Sequence, residues 1–271
     1  MVNFEHSSIT NELYTPEGIT CLSLKSSNLR GRGEVTIYLP RNCRRQNNLP
    51  FIILLHGVYG SHFSWLFQAG AHLVLERMLN ANAAHPFMLV MPSDGLMGDG
   101  TGYLPHKEGN YEKWIVEDVI QAINYHFDEI TADSLSFISG LSMGGYGALR
   151  LGMIYPDLFS GISAHSAITD LQDYQTFIDE DFHNYLSPEL IEGASILDIA
   201  ILNRSHLPPF RFDCGDQDRL IESNRRLNQQ LTDAGIPHDY REFPGIHNYE
   251  YWTEHIADSI SFFSKLMRKR S

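Results

Sequence analysis

The chain of 271 residues is short of several things, and each shortage removes a class of protein. Its three cysteines, Cys21, Cys43 and Cys214, are odd in number and far apart, which fits neither a disulfide framework nor a zinc cluster. No apolar run approaches the roughly 18 residues that cross a bilayer, so no membrane-spanning segment is expected. Positive charge is scarce, with 20 Lys and Arg against 33 Asp and Glu and a formal net charge of −13. Nucleic acid is therefore not an expected partner, because neutralising phosphates takes clustered cations. The two basic clusters, Arg41 to Arg45 and Lys265 to Arg270, have simpler readings, the second as the cationic last turn of a C-terminal helix. The opening stretch MVNFEHSSITNELYTPEG lacks the basic and apolar regions of a signal peptide, so a soluble, cytoplasmic protein is expected. No repeat, low-complexity tract or Pro/Gly/Ser linker divides the chain, and residues 1–271 are expected to form one domain.

What is present is an alternation of strand and helix patterns. Glu34 to Leu39 (EVTIYL) alternates polar and apolar residues, as a half-buried antiparallel strand does. Phe51 to His56 (FIILLH) and Pro86 to Met91 (PFMLVM) are short apolar runs of the kind covered on both faces. Ser134 to Gly140, Phe159 to Ala164, Pro209 to Cys214 and Asp239 to Phe243 continue the series. Between them, Trp114, Ile115, Val119, Ile123 and Phe127 recur at helical spacing, as do Leu220, Ile221, Leu227 and Leu231. Trp252, Ile256, Ile260 and Phe263 mark a final helix. Such alternation predicts an α/β architecture with a mostly parallel sheet wrapped on both faces. About forty residues separate the strands near Phe159 and Pro209, far more than an ordinary connection. This acidic segment, at about 168–206, reads either as a lid or pocket wall or as a solvated helical excursion.

The pentad Gly140-Leu141-Ser142-Met143-Gly144 sits where a strand pattern passes into a helical one. A nucleophile elbow needs that order of strand, tight turn and helix, with glycines beside the serine where side chains would collide with neighbouring backbone. Serine is a poor nucleophile without a general base held by a carboxylate, and in this architecture the chain order is serine, acid, histidine. Among the downstream histidines, His247 lies after the last predicted strand, at the same sheet edge as Ser142. His238 precedes its strand, His255 falls inside a helix, and His165 and His206 border the long insertion. In DCGDQDRL, Asp213 still belongs to the strand and reads as structural. Asp218 is the preferred acid and Asp216 its competitor, with a helix cap as the other use of Asp216.

An oxyanion needs two backbone N–H donors. Met143, next after the serine, supplies one. Val58, in the loop after FIILLH where Gly57 lets the chain fold back, supplies the other. His56 reads as a buried brace for that loop, with a base or metal ligand as the alternative. His62 has no third ligand at metal spacing, so no metal is expected. Tyr59, Trp65, Tyr174 and Phe177 can stack on a ring or serve as core, and Trp65 fits core better. Tyr59, His165 and Trp252 are the candidates for substrate contact.

LLHGVYGSHFSW at 54–65, LVMPSDG at 89–95, GLSMGGYGALRLG at 140–152, CGDQDRL at 214–220 and FPGIHNYEYW at 243–252 follow one another in an order that resembles the putative-esterase family of α/β-hydrolases. That group holds esterase D, tributyrin and feruloyl esterases, acetyl-xylan esterase modules, S-formylglutathione hydrolases and mycolyltransferases. The resemblance implies the α/β-hydrolase fold, with the insertion after the sixth core strand. It also implies Ser142, Asp218 and His247 as the triad and Val58 and Met143 as oxyanion donors, with no cofactor. The expected activity is that of a serine carboxylesterase acting on small acyl or aryl esters through an acyl-enzyme. Acyl transfer to an alcohol and S-formylglutathione-type thioester hydrolysis use the same site. A binding protein without catalysis is the reading from another class. The expected partner is a small-molecule ester, and a homo-oligomer stays open.

Overall fold

The computed structural model describes residues 4–268. Met1 to Asn3, and Lys269 and Arg270 at the end of the second basic cluster, lie outside the described residues.

Among the described residues, nine strands form one sheet: β1 (Phe4–Ile9), β2 (Ile19–Ser26), β3 (Gly31–Tyr38), β4 (Phe51–Leu55), β5 (Met88–Pro92), β6 (Ser136–Leu141), β7 (Phe159–His165), β8 (Phe210–Gly215) and β9 (Asp239–Phe243). Their order across the sheet is β1-β2-β3-β5-β4-β6-β7-β8-β9. The pairs among β1, β2, β3 and β5 are antiparallel, and those from β5 through β9 are parallel. The seven strands expected from hydrophobic patterning are present. β1 and β2 are additions; of these, FEHSSI of β1, on the sheet edge, is largely exposed and carries too few apolar residues to stand out.

Helices cover both faces. α1 (Ala71–Asn80) pairs with the C-terminal α9 (Tyr249–Arg268) over one face, burying Leu75, Phe87, Phe137, Trp252 and Phe263 together. Burying a side chain such as Phe263 contributes about 1.5–3 kcal/mol. On the other face, α2 (Tyr111–Lys113) runs through a π-helical turn at Trp114–Val119 into α3 (Ile120–His126). Beside it lies α4 (Met143–Ile154), in which every residue but Ile154 is buried. A helix apolar on all sides belongs in the middle of a core.

The chain between β7 and β8 carries α5 (Leu171–Gln175), a 3₁₀ turn at Phe182–Asn184, α6 (Pro188–Glu192) and α7 (Ile196–Leu202). It is not a solvated excursion. Leu171, Tyr174, Ile178, Phe182, Leu186, Ile196 and Ile199 all join the core on the α4 face. α8 (Ile221–Asp233) completes that layer beside α7.

The strand order also places the site. From β4 the chain steps to β5 on one side, then returns to lay β6 on the other. Ligands of open parallel sheets bind beyond the carboxyl ends of strands at such a reversal, because the loops diverge there and leave a crevice. Leu55 at the end of β4 pairs with Gly140 near the end of β6, so the loops beginning at His56 and Ser142 open side by side.

Candidate active site

β6 ends in the turn that carries Ser142, at φ 54° and ψ −118°, immediately before α4. A residue with a Cβ in that region is strained, at a cost of order 1–3 kcal/mol, and the surroundings must hold it there. They do so through the Ser142 N–H, which donates to the His165 carbonyl at 3.0 Å, and the Ser142 carbonyl, which accepts from Ile168 at 3.1 Å. The flanking glycines are sterically required. A Cβ on Gly140 would run into the Gly144 carbonyl, and one on Gly144 into the Leu55 carbonyl of β4.

Three loops deliver the side chains expected to act together. Ser142 Oγ lies 3.0 Å from His247 Nε2. On the other edge of the ring, His247 Nδ1 donates to both Asp218 carboxylate oxygens, at 3.0 and 2.9 Å. Because a carboxylate only accepts, the Nδ1 proton is fixed and Nε2 is left free to accept from the serine hydroxyl. The Asp218 side chain is 0% exposed and that of His247 16%. Burial pushes the Asp218 carboxyl up, but the bond from His247, the Leu220 N–H at 2.8 Å and the Ser166 hydroxyl outweigh it and hold the group below its ordinary range. Asp216, the competing acid, is exposed and instead accepts from the Gly245 N–H at 3.1 Å, tying the acid loop to the histidine loop.

The side chains of Val58 and Met143 both come up against Gly100. A Cβ on Gly57 would touch that of Ser142 at 3.3 Å, and one on Gly100 would meet Met143 Sδ at 2.5 Å and Val58 Cγ1 at 3.4 Å. Among the described residues, neither the Val58 nor the Met143 N–H donates to a protein acceptor. His56 braces this loop: its Nδ1 donates to the Gly57 carbonyl at 2.8 Å and its Nε2 accepts from the Asp94 N–H at 3.0 Å. Trp65 is core, with its indole N–H on the Leu55 carbonyl at 2.9 Å.

The model of the Putative esterase family matches residues 26–263. The chain belongs to that esterase family. It is a serine hydrolase of carboxylic esters. The esterase is 30% identical over 238 residues to the acetyl esterase of Caldicellulosiruptor saccharolyticus, a match covering 81% of this chain and 85% of the relative. Among solved structures it resembles a ferulic acid esterase, with a TM-score of 0.80, 24% identity and coverage of 97% of this chain and all of the other. It also resembles the fluorophosphonate-binding serine hydrolase F of Staphylococcus aureus, with a TM-score of 0.74, 24% identity and coverage of 92% and 99%. These two likenesses bear on the fold, which is that of the α/β-hydrolases.

The three candidates for substrate contact part company in the esterase. Tyr59 is 68% exposed beside the Val58 loop, held at φ 56° with its N–H on the Asp99 carbonyl. Trp252 is buried, and its indole stands edge-on to the His247 ring at 5.0 Å and 89°. His165 does not reach the site. It is fully buried on β7, and its ring is consumed inside the core. Its Nδ1 faces Asp213 at 2.9 Å and its Nε2 meets Ser259 Oγ at 2.7 Å. Asp213 is further paired with Arg211 at 2.8 Å and accepts from the Tyr251 hydroxyl at 2.8 Å. Burial pushes its carboxyl up, yet His165, Arg211 and Tyr251 together hold it below the ordinary range.

Phe177, from the insertion, packs against His247 with ring centroids 5.2 Å apart. The Arg219 guanidinium lies 3.8 Å from the centre of the Phe177 ring, over one of its faces, and donates to the Thr176 carbonyl. Nothing in the spacing of the sequence pairs Arg219 with Phe177; only its place directly after Asp218 put it near the site.

Proposed function

We propose that the esterase cleaves small acyl or aryl esters through an acyl-enzyme on Ser142. The observation that carries this reading is the unbroken hydrogen-bonded chain from Ser142 through His247 to Asp218, anchored at a strained turn. His247 Nε2 takes the hydroxyl proton as Ser142 Oγ attacks the ester carbonyl, and the Asp218 carboxylate stabilises the imidazolium that forms. Charge developing on the carbonyl oxygen is met by the N–H groups of Val58 and Met143, aided by the N-terminus of α4. Collapse expels the alcohol, which takes its proton from His247. Water then repeats the sequence and frees the acid.

The printed names of the relatives, acetyl and ferulic acid esterase, support small acyl and aromatic groups as substrates. Phe177 against His247 supports the insertion as a pocket wall within a single domain. Asp179, Glu180 and Asp181, which line a cavity of about 390 Å³ with Gly100, weigh against anionic substrates through like-charge repulsion. A cytoplasmic setting is in keeping with three free cysteines.

The test is a series of p-nitrophenyl esters from acetyl to octanoyl, with methyl ferulate beside it. Turnover is expected to peak at the short acyl end, with an initial burst of nitrophenol. Ser142→Ala is expected to abolish turnover, and a variant retaining wild-type rates contradicts the reading.

A further inference from the structure

Tyr103, in the loop that follows β5, is fully buried and held at φ 56°, in the left-handed region where a side chain adds strain. A closed ring of hydrogen bonds holds it there. Its N–H donates to Thr101 Oγ1 at 3.2 Å, and the Thr101 hydroxyl donates to the Asp94 carbonyl at 2.9 Å. The Asp94 N–H donates to His56 Nε2 at 3.0 Å, and the Tyr103 hydroxyl returns to the His56 carbonyl, also at 3.0 Å. His56, Asp94, Thr101 and Tyr103 are each at most 2% exposed, so these bonds act in a low-dielectric interior.

The ring of bonds ends beside the peptide that carries the Val58 N–H. In a trans peptide the C=O and N–H point in opposite directions, so whatever holds the Gly57 carbonyl also aims the Val58 N–H. That carbonyl accepts from His56 Nδ1 at 2.8 Å and from the Gly60 N–H at 3.1 Å. Tyr103 pins the preceding carbonyl, that of His56, and with both peptides pinned the φ and ψ of Gly57 are set. The Tyr103 ring meanwhile bears on α4: a Cβ on Gly147, one turn beyond Met143, would stand 2.6 Å from its Cδ2. The His56 carbonyl oxygen lies 2.6 Å from the place of a Cβ on Gly144, so the loop and the serine turn touch at this point.

We propose that Tyr103 is a positioning residue that sets the distance between the two oxyanion donors: its ring bears on the helix that begins at Met143, while its hydroxyl holds the loop that carries Val58. The inference rests on Ser142 as the nucleophile and on Val58 and Met143 as the donors. A phenylalanine at 103 would fill the same space and leave the His56 carbonyl unheld.

The decisive variant is therefore Tyr103→Phe, with kcat expressed per competent site after titration by a fluorophosphonate. Acylation and deacylation both pass through an oxyanion, so kcat on p-nitrophenyl acetate is expected to fall about tenfold with KM within about twofold. The second readout is the Ki of a short-chain alkyl trifluoromethyl ketone. Ser142 Oγ adds to its carbonyl carbon, the hydroxyl proton passes to His247, and a tetrahedral oxyanion is left between the donors. That Ki is expected to rise about tenfold, in step with kcat, because the adduct mimics the transition state. Tyr146→Phe is the matched control, since its buried hydroxyl also donates to a backbone carbonyl, that of Ala194 at 2.9 Å. It should lower Tm and leave both kcat and Ki within about twofold, as expected where neither donor is disturbed. Unchanged kcat and Ki in Tyr103→Phe overturn the assignment whatever happens to Tm, and so does an equal rise of Ki in Tyr146→Phe. Thr101→Val breaks the ring of bonds at another link and should move kcat and Ki in the same direction. If Tyr103→Phe yields no folded protein, unmoved values in Thr101→Val overturn the assignment. A wild type that binds the trifluoromethyl ketone no more tightly than the matching methyl ketone removes the underlying reading of the site. Tight binding by the wild type and by Tyr103→Phe alike removes only the role of Tyr103.

Discussion

Ser142–His247–Asp218 and Ser259–His165–Asp213 use the same three side-chain types at nearly the same distances. Serine oxygen to imidazole is 3.0 Å in the first and 2.7 Å in the second, and imidazole to carboxylate is 2.9 Å in both. Everything around them differs. Ser142 stands on a strained turn at the head of α4, whereas Ser259 lies inside α9. His247 keeps a solvent-facing edge, whereas Ser259, His165 and Asp213 are each 0% exposed. The buried carboxylate is also paired with Arg211, which spends its charge on the fold. On the proposed reading, a hydroxyl–imidazole–carboxylate chain becomes an active site only with access, a forced backbone and donors for the oxyanion. Without them it is a polar tie among β7, β8 and α9.

Exchanging the roles of the two serines gives the largest contrast. Ser142→Ala is expected to lower kcat on p-nitrophenyl acetate by 10⁴-fold or more, on the order seen when a triad serine is removed. Ser259→Ala is expected to leave kcat within about threefold while costing about 1–3 kcal/mol of stability, because His165 Nε2 loses its buried partner. Steady-state rates and urea unfolding on the same preparations check both halves.

The carboxylates sharpen the comparison next. Asp213→Asn leaves Arg211 buried and uncompensated, which is expected to cost about 3–5 kcal/mol in urea unfolding. The pH dependence follows from the direction of the shift. Asp213 is held below its ordinary value of 3.8, so its stabilisation is complete above that pH and is lost as pH falls below it. The gap in stability between wild type and Asp213→Asn should therefore be constant from pH 7 to 5 and narrow below pH 4.

The legibility of the two chains in the sequence was unequal for a physical reason. Ser142 announces itself through local sterics, because glycines must stand at 140 and 144 for the turn to exist. Asp218 and His247 follow from the chain order of the fold and from loops at one sheet edge. The buried chain has no such local signature. His165 lies 48 residues from Asp213 and 94 from Ser259, and only the sheet register and the packing of α9 join them. For the same reason His165 reads in the sequence as a pocket residue, bordering the insertion, although it faces the core. β1 and α1 also escaped the pattern. β1 is a solvated edge, and α1 starts after the left-handed Gly70 with no side-chain cap to mark it.

A smaller effect is expected at the wall of the first chain. Phe177→Ala removes the ring that contacts both Arg219 and His247, an aromatic contact worth about 0.5–1.5 kcal/mol. KM for methyl ferulate is expected to rise about three- to tenfold, with that for p-nitrophenyl acetate changed less. Equal changes for both esters would place Phe177 outside the substrate's reach.

The most direct measurement is reaction of the wild-type esterase with a fluorophosphonate, followed by peptide mapping of the adduct. One equivalent on Ser142, with Ser259 unmodified and activity lost in step, is the predicted result. Modification at any other serine, or full inhibition with Ser142 untouched, contradicts it.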